Sequence, residues 1–443
     1  MKIHFIGIGG IGVSALAQYY LSKGHKVTGS DLVSSEITEF LEKKRVNVQI
    51  GPSFETKPRT VDLVIYSPAI QETNLELKSA KEARMRCLSY PQAVGEMTKQ
   101  YYTIAVSGTH GKSTTTSMVS LMMQKAGLDP TVIIGTKLKE FGDTNFRAGK
   151  SNYLVLEADE HFASFLNYWP KIIILTSLEA DHLDFYHDFK TIFVTFKEYL
   201  SHLPKEGILI ANQDDKNIEK IIKNVPNQTE LYSLLQKEAK KVRKLMKVPG
   251  EHNVSNALSV LALGRLLKVP QKTVLESLSQ YKGSWRRFET SKVSWKRKKI
   301  VLISDYGHHP TEVKVTMTAA RSKYPKAKIW CVFQPHQYQR TFYLFKDFVK
   351  VFKNHSLDKV IITDIYDVAG REEEGIKEKV SSEKLVEAVK KENVLFLKKE
   401  EVLDYLKDNF PQKGVLMIMG AGNIYKLVDS FNLTQKTNKK KIE

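Results

Sequence analysis

The sequence predicts an α/β protein built from three successive units, and three observations carry that expectation. Its 443 residues exceed what one hydrophobic core usually serves. Short apolar runs alternate with segments whose apolar residues recur at helical spacing. The strand, glycine turn, helix rhythm starts at the N-terminus with "FIGIGGIG" (5–12) and restarts with "SGTHGKSTTT" (107–116). A third α/β rhythm follows residue 286, giving units of 1–97, 98–285 and 286–443.

In the first unit, "KIHFIGI" reads as a strand, "IGVSALAQYYLSKG" as a helix and "HKVTGSD" as a second strand, which together make a βαβ unit. "VNVQI" and "VDLVIYSPAI" add strand candidates, so this unit is expected to be Rossmann-like. In the second, "TIAV" leads into the glycine loop and a helix. "PTVIIG", "NYLVLEAD", "KIIILTSL" and "GILIAN" are continuous apolar runs, as suits a parallel sheet covered on both faces. A helix is expected over 252–267, with "GSWRRFET" as the exit. "KIVLISDYG", "KIWCVFQP", "DKVIITDIY", "NVLFL" and "GVLMIMGAG" supply the strands of a second Rossmann-like unit.

Composition narrows the class. Hydrophobic residues make up 42% and charged residues 26%, ordinary for a globular protein. No apolar run approaches the ~20 residues of a membrane helix, and "MKIHFIGIGG" lacks a signal-peptide pattern, so a cytoplasmic protein without membrane insertion is expected. Cys87 and Cys331 lie far apart in apolar segments and read as buried thiols. Lys and Arg exceed Asp and Glu by 68 to 49, a net charge of +19. The clusters "SWKRKKI" (294–300) and "KEAKKVRKLMK" (237–247) and the tail "TQKTNKKKIE" read as solvated basic surface. No nucleic-acid signature with interleaved aromatics accompanies them, so no nucleic-acid partner is expected.

Gly7, Gly9 and Gly12 fit G-x-G-x-x-G between a strand and a helix, with Asp31 near the end of the next strand. Such a turn lets backbone N–H groups approach an anionic diphosphate. NAD, with Asp31 on a ribose, and a UDP-sugar are both open readings. Gly108, Gly111, Lys112 and Ser113 make a shortened phosphate-binding loop, with Val106 where the usual first glycine would stand. Backbone amides surround a phosphate, the Lys112 ammonium reaches its outer oxygens, and the Ser113 hydroxyl suits Mg²⁺. The central unit is therefore expected to be a P-loop ATPase-like parallel-sheet domain.

"FIGIGGIGVSALA" followed by "GTHGKST" resembles the Mur ligase family, and the likeness runs on in family order. It takes in "EADE" (157–160), "EADHLDFY" (179–186), "PGEHNVSNA" (249–257), "RRFE" (286–289), "DYGHHPTEV" (305–313), "FQPHQYQRT" (333–341) and "GAGNI" (420–424), covering nearly the whole chain. Within that family the motifs look most like those of the branch that joins L-alanine to UDP-N-acetylmuramate. The resemblance implies that the first loop holds the sugar nucleotide, the second holds ATP, and an acyl phosphate forms between them in an interdomain cleft.

Residue by residue, the resemblance gives Gly7, Gly9, Gly10, Gly12, Asp31 and Ser67 to the UDP-sugar. It gives Gly108, Thr109, His110, Gly111, Lys112, Ser113, Thr114, Asn253, Asn256, Arg287 and Asp305 to ATP. Ser113, Glu157 and His182 would serve metal ions, with Lys112, Glu157 and His182 as catalytic groups. Tyr306, His309, His336 and Arg340 would receive the amino acid, Arg340 through the planar fork that suits a carboxylate. Arg286 reads equally well as a solvated charge, and Lys197 as a surface helix residue. Gln337 stands where the family commonly has arginine, and "DIYDVAGREEEG" (364–375) also departs from the family pattern.

A monomer or weak homodimer is expected. Three other readings remain: a ligase of the same superfamily that attaches an intact tripeptide, an NAD-dependent oxidoreductase, and a basic nucleic-acid-binding ATPase. The oxidoreductase would leave Lys112 and Glu157 idle, and the ATPase would leave the first loop without a ligand.

Overall fold

The computed structural model describes residues 1–52, 61–223, 225–368 and 372–431, so the basic tail and part of "DIYDVAGREEEG" lie outside the described residues. Eighteen strands form three sheets among those described. The first comprises β1 (Lys2–Ile6), β2 (Lys26–Asp31), β3 (Asn47–Ile50), β4 (Leu63–Tyr66) and β5 (Cys87–Ser89), in the order β3-β2-β1-β4-β5 and parallel throughout. The order reverses direction at β1, the position where doubly wound sheets open a crevice at their strand C-termini.

The second sheet uses β6 (Tyr102–Ser107), β7 (Thr131–Leu138), β8 (Thr144–Arg147), β9 (Tyr153–Glu157), β10 (Ile172–Leu175), β11 (Ile208–Asn212) and β12 (Gln228–Tyr232), in the order β12-β11-β10-β6-β9-β7-β8. Its central strands are buried apolar runs, as "IIIL" of β10 shows, because helices cover both faces. The sheet is parallel, as expected, except at one edge. β8 returns antiparallel beside β7 across a tight connection, with a register shift between Ile133 and Leu138.

The third sheet contains β13 (Glu289–Trp295), β14 (Lys298–Asp305), β15 (Ile329–Phe333), β16 (Lys359–Ile362), β17 (Val394–Phe396) and β18 (Lys413–Met419), in the order β13-β14-β18-β15-β16-β17. All its pairings are parallel except β13 with β14.

Two compact units emerge. One takes in Met1–Glu179, Lys190–Leu245 and Ser255–Gln280, and so holds the first two sheets; the other takes in Ala180–Phe189, Met246–Val254 and the chain from Tyr281. Within the first unit, the helix Ile11–Ser22 packs on β7 and β8. Gln18 fastens that contact, its Nε2 donating to Asn145 Oδ1 (2.8 Å) and its Oε1 accepting from Thr144 Oγ1 (2.8 Å), while Asn145 Nδ2 donates to Ser14 Oγ (3.0 Å). Every side chain in this buried group has a partner, so the apolar surroundings cost it little.

Two further expectations change. Cys331 is fully buried, but Cys87 on the short β5 is only half-buried. Arg286, read as equally well a solvated charge, is 4% exposed. Its guanidinium lies over the rings of Tyr425 (4.4 Å), Tyr306 (4.8 Å) and Trp285 (5.4 Å) and donates to the carbonyls of Gly420 and Gly422. Cation–π contact and carbonyl acceptors replace water. Lys197 lies on the exposed face of the helix Phe189–Leu200. No helix among the described residues is long and apolar enough to cross a membrane.

Candidate functional site

In the first unit, the turn after β1 brings the expected residues together. Gly7 and Ile8 donate their amides to Ser30 O (2.9 and 3.0 Å), which folds the turn over β2. Asp31 Oδ2 accepts from the Gly9 amide (2.8 Å), so the carboxylate braces the loop itself. Ser67, at the end of β4, sits against Gly7: a Cβ on that glycine would lie 3.0 Å from Ser67 Cβ. Gly12 admits close approach of another kind, since a Cβ there would fall 2.8 Å from the ring of Tyr90. Gly10 caps the helix Ile11–Ser22 without a side-chain bond.

The second loop follows β6. Thr109 donates its amide to Ser177 O (3.0 Å) and accepts from the Glu179 amide through Oγ1 (2.9 Å), while His110 donates its amide to Ser177 Oγ (2.8 Å). Loop and β10 exit are thereby locked to each other. Gly108 is packed against Thr176. Gly111 is the left-handed residue (φ 84°) that turns the chain into the helix Lys112–Lys125, and a Cβ there would come 2.6 Å from Asn256 Oδ1. Only glycine meets both demands. Asn256 thus lies directly against the loop. Ser113 and Thr114 occupy the first helical turn and are buried.

Lys112 Nζ donates to Gly108 O (2.8 Å) and to both oxygens of Glu160 (2.7 and 3.0 Å). Burial alone would lower its pKa, but Glu160 and Asp159 outweigh burial and hold the ammonium firmly charged. Burial raises the Glu160 carboxyl, while the Lys112 ammonium against both of its oxygens pulls it back toward the ionised form. Glu157, at the end of β9, accepts from Ser113 Oγ (2.8 Å) and from the Gly135 amide (2.8 Å). A hydroxyl and a carboxylate oxygen facing each other at the head of a phosphate-loop helix are hard donors of the kind Mg²⁺ takes, so this pair fits that ion.

The second unit assembles a different cluster. Arg340 donates from Nε to Asp181 Oδ1 (3.1 Å) and from Nη1 to Gln337 Oε1 (2.9 Å), with His336 Nδ1 3.3 Å away. Burial opposes ionisation of Asp181, yet the Arg340 guanidinium and the imidazoles of His182 and His309 hold its carboxyl well below the usual range. His182 has a left-handed backbone (φ 51°) and donates its amide to Asp181 Oδ1 (2.7 Å). His309 caps the helix Pro310–Lys323, its Nδ1 accepting from the Thr311 amide (3.3 Å) and its Nε2 facing Ala180 O (3.1 Å). That pattern puts the imidazole proton on Nε2.

The aromatic edges form a second layer. The rings of Tyr306 and His308 are 5.3 Å apart, those of His308 and His336 5.8 Å, and His336 stacks on Tyr366 within 13° of parallel. Arg287 lies over the Tyr306 ring (5.0 Å) with Nη1 3.8 Å from Glu312. Asp305 is spent on the backbone, accepting from the amides of Phe288 (2.8 Å) and Gly307 (2.8 Å), and burial raises its pKa. Asn253 turns its amide nitrogen onto Pro249 O (2.6 Å).

So the structure gathers Gly7, Gly9, Asp31 and Ser67 in one place, Lys112, Ser113, Glu157 and Asn256 in another, and His309, His336, Arg340 and Tyr306 within the second unit. His182 belongs to the second unit, and Glu157 to the first. Three residues escaped sequence reasoning: Glu160, Asp181 and Gln334, whose Oε1 accepts from the Ile424 amide (3.0 Å). All three sit inside motifs already singled out, Glu160 three residues after Glu157, Asp181 one before His182 and Gln334 two before His336, and that proximity was the available signal.

Comparison with known proteins gives three family matches in order: Mur ligase family, catalytic domain, over residues 2–102; Mur ligase middle domain over 106–246; and Mur ligase, glutamate ligase domain, over 286–422. The chain is 39% identical to a UDP-N-acetylmuramate–L-alanine ligase of Clostridium kluyveri, covering 96% of each chain. It is 38% identical to that of Clostridium acetobutylicum, covering 97% of each. Among solved structures it is similar to the UDP-N-acetylmuramate-alanine ligase MurC of Thermotoga maritima (TM-score 0.80, 25% identity, 99% of this chain and 100% of the other). It shares its fold with a murein peptide ligase of Psychrobacter arcticus (TM-score 0.73, 22% identity, 98% of each).

Proposed function

This chain belongs to the Mur ligase family, and from that premise we propose that it joins L-alanine to the carboxylate of UDP-N-acetylmuramate with consumption of ATP, a step of peptidoglycan precursor synthesis in the cytoplasm. The observation that carries the reading is the second loop, where Lys112, Ser113, Glu157 and Asn256 converge on the start of one helix.

A carboxylate does not condense with an amine in water without activation. In the proposed path a carboxylate oxygen of the sugar attacks the γ-phosphorus of ATP and ADP leaves. The alanine amine then attacks the acyl carbon, phosphate departs carrying that carboxylate oxygen, and a proton is released. The amides of the Gly108–Lys112 loop and the Lys112 ammonium hold the triphosphate and stabilise charge on the transferring group. Mg²⁺, held through Ser113 and Glu157, would neutralise part of that charge when bound. Loop amides and Ser67 cradle the diphosphate of the sugar nucleotide, with Asp31 fixing the turn. Arg340, aimed by Asp181 and Gln337, takes the amino-acid carboxylate. His182, Asn253, Arg287 and Asp305 complete the ATP and metal environment in this reading, and Tyr306, His309 and His336 the amino-acid pocket.

The identity to alanine ligases over 96% of the chain favours this substrate over an intact tripeptide. Incubation with ATP, Mg²⁺, UDP-N-acetylmuramate and a panel of amino acids tests it. Phosphate release should be greatest with L-alanine. Turnover with a tripeptide alone would move the assignment to the peptide ligases.

A further inference from the structure

The basic run "SWKRKKI" has no role in the proposed reaction. β13 and β14 carry it to one end of the third sheet, where it borders a cleft of about 850 Å³. That end lies at the start of β14, while Asp305 and Tyr306 lie at its finish, some six residues or about 20 Å along the strand.

The pleat decides what the cleft contains. Val293, Trp295, Ile300, Leu302 and Leu416 point to one face and join the main core of the unit. Their alternates point to the other: Ser294, Lys299 and Lys413 stand abreast in register, and Lys292, Val301 and Val415 form the next row. Over this second face, Tyr324 and Lys326 follow the helix Pro310–Lys323, and Lys328 precedes β15. Val301 and Val415 therefore make an apolar floor under a rim of five lysines, and Tyr324 offers a partly exposed ring beside it.

Among the described residues, no carboxylate lines the cleft. Lys328 pairs with Asp358, which stands outside the lining, 3.0 Å away. Lys299 stands directly opposite Lys413 across two neighbouring strands, an arrangement that like charges disfavour. An anion between them relieves that repulsion. The volume falls within the roughly 300–1,000 Å³ of small-molecule pockets, and the combination of apolar floor and cationic rim is that of a site for an amphiphilic anion.

We propose that this cleft is a second ligand site, which binds a soluble organic phosphate with its apolar body on Val301 and Val415 and its phosphate between Lys299 and Lys413. It is separate from the triphosphate and sugar-nucleotide loops of the proposed reaction.

The test is calorimetric titration of the full chain with 1-naphthyl phosphate, in the presence of saturating ADP, Mg²⁺ and UDP-N-acetylmuramate so that the loops are occupied. One equivalent is expected to bind, with inorganic phosphate at least tenfold weaker. The double variant Lys299→Glu/Lys413→Glu should lose at least tenfold in affinity, and Lys299→Gln/Lys413→Gln should lie between. Both exposed pairs should leave ligase turnover within twofold, which also reports folding. Failure of the wild-type chain to bind would overturn the proposal. So would equal binding by the charge-reversed variant, equal affinity for inorganic phosphate, or binding of phosphatidylglycerol vesicles without binding of the soluble ester.

Discussion

Lys112 donates to both carboxylate oxygens of Glu160, at 2.7 and 3.0 Å, across 48 residues of sequence. The lysine proposed to grip a triphosphate is therefore already paired with a buried acid. A ligand phosphate must take over that ammonium, and Glu160 is its competitor.

Glu160→Gln separates the two roles of the pair. Breaking a buried pair leaves a charge uncompensated and costs about 3–5 kcal/mol. The nucleotide-free variant should therefore melt several degrees lower. With the competing charge gone, ATP should bind roughly three- to tenfold tighter in calorimetry, and saturating ATP should restore part of the lost stability. Weaker ATP binding by the variant would show that Glu160 aims Lys112 rather than competes for it.

Gln337 supplies an uncharged acceptor to Arg340 at 2.9 Å, and its own backbone is held left-handed (φ 69°) where the chain enters the helix Tyr338–Tyr343. A hydrogen bond to a charged group contributes about 1.5–3 kcal/mol. Gln337→Leu should accordingly raise the KM for L-alanine roughly 10- to 100-fold, with the KM for ATP within twofold. Steady-state kinetics with each substrate varied in turn separates the two constants, and an equal rise in both would point to general loosening of the fold.

His355 predicts a pH dependence of stability. Burial, with Lys391 adding to it, pushes this imidazole down from 6.5 to about 4. Between those values the unfolded chain binds the extra proton and the folded chain does not. Stability is thus complete above about pH 6.5 and is lost as pH falls toward 4. Discounted for partial exposure, the loss is about 1–2 kcal/mol. Urea unfolding at pH 7.5 and pH 5 should show that difference for the wild-type chain, and a smaller one for His355→Gln.

Both glycine loops were legible because their meaning is local: a few fixed offsets between a strand and a helix define the turn. The parallel cores were legible for a similar reason, since β10 and β15 are unbroken apolar runs. The strands that escaped are those whose apolar signal is weak. β8 is four residues with a polar start, β12 is half polar, and β13 alternates lysine and serine with valine and tryptophan because it is an edge. Side-chain partnerships were the least legible. Asp181 meets Arg340 159 residues away, and nothing in either neighbourhood announces the other. Arg286 stayed open in the sequence because a charge is ordinarily solvated, and the three rings that shelter it are contributed from positions 285, 306 and 425.

The central claim is that the sugar carboxylate is phosphorylated before the amine attacks. It is tested most directly by preparing UDP-N-acetylmuramate with ¹⁸O in both carboxylate oxygens and running one turnover with ATP and L-alanine. Mass spectrometry of the released phosphate should find one ¹⁸O atom in each phosphate and one left in the amide carbonyl of the product. Unlabelled phosphate accompanying labelled product would contradict the claim.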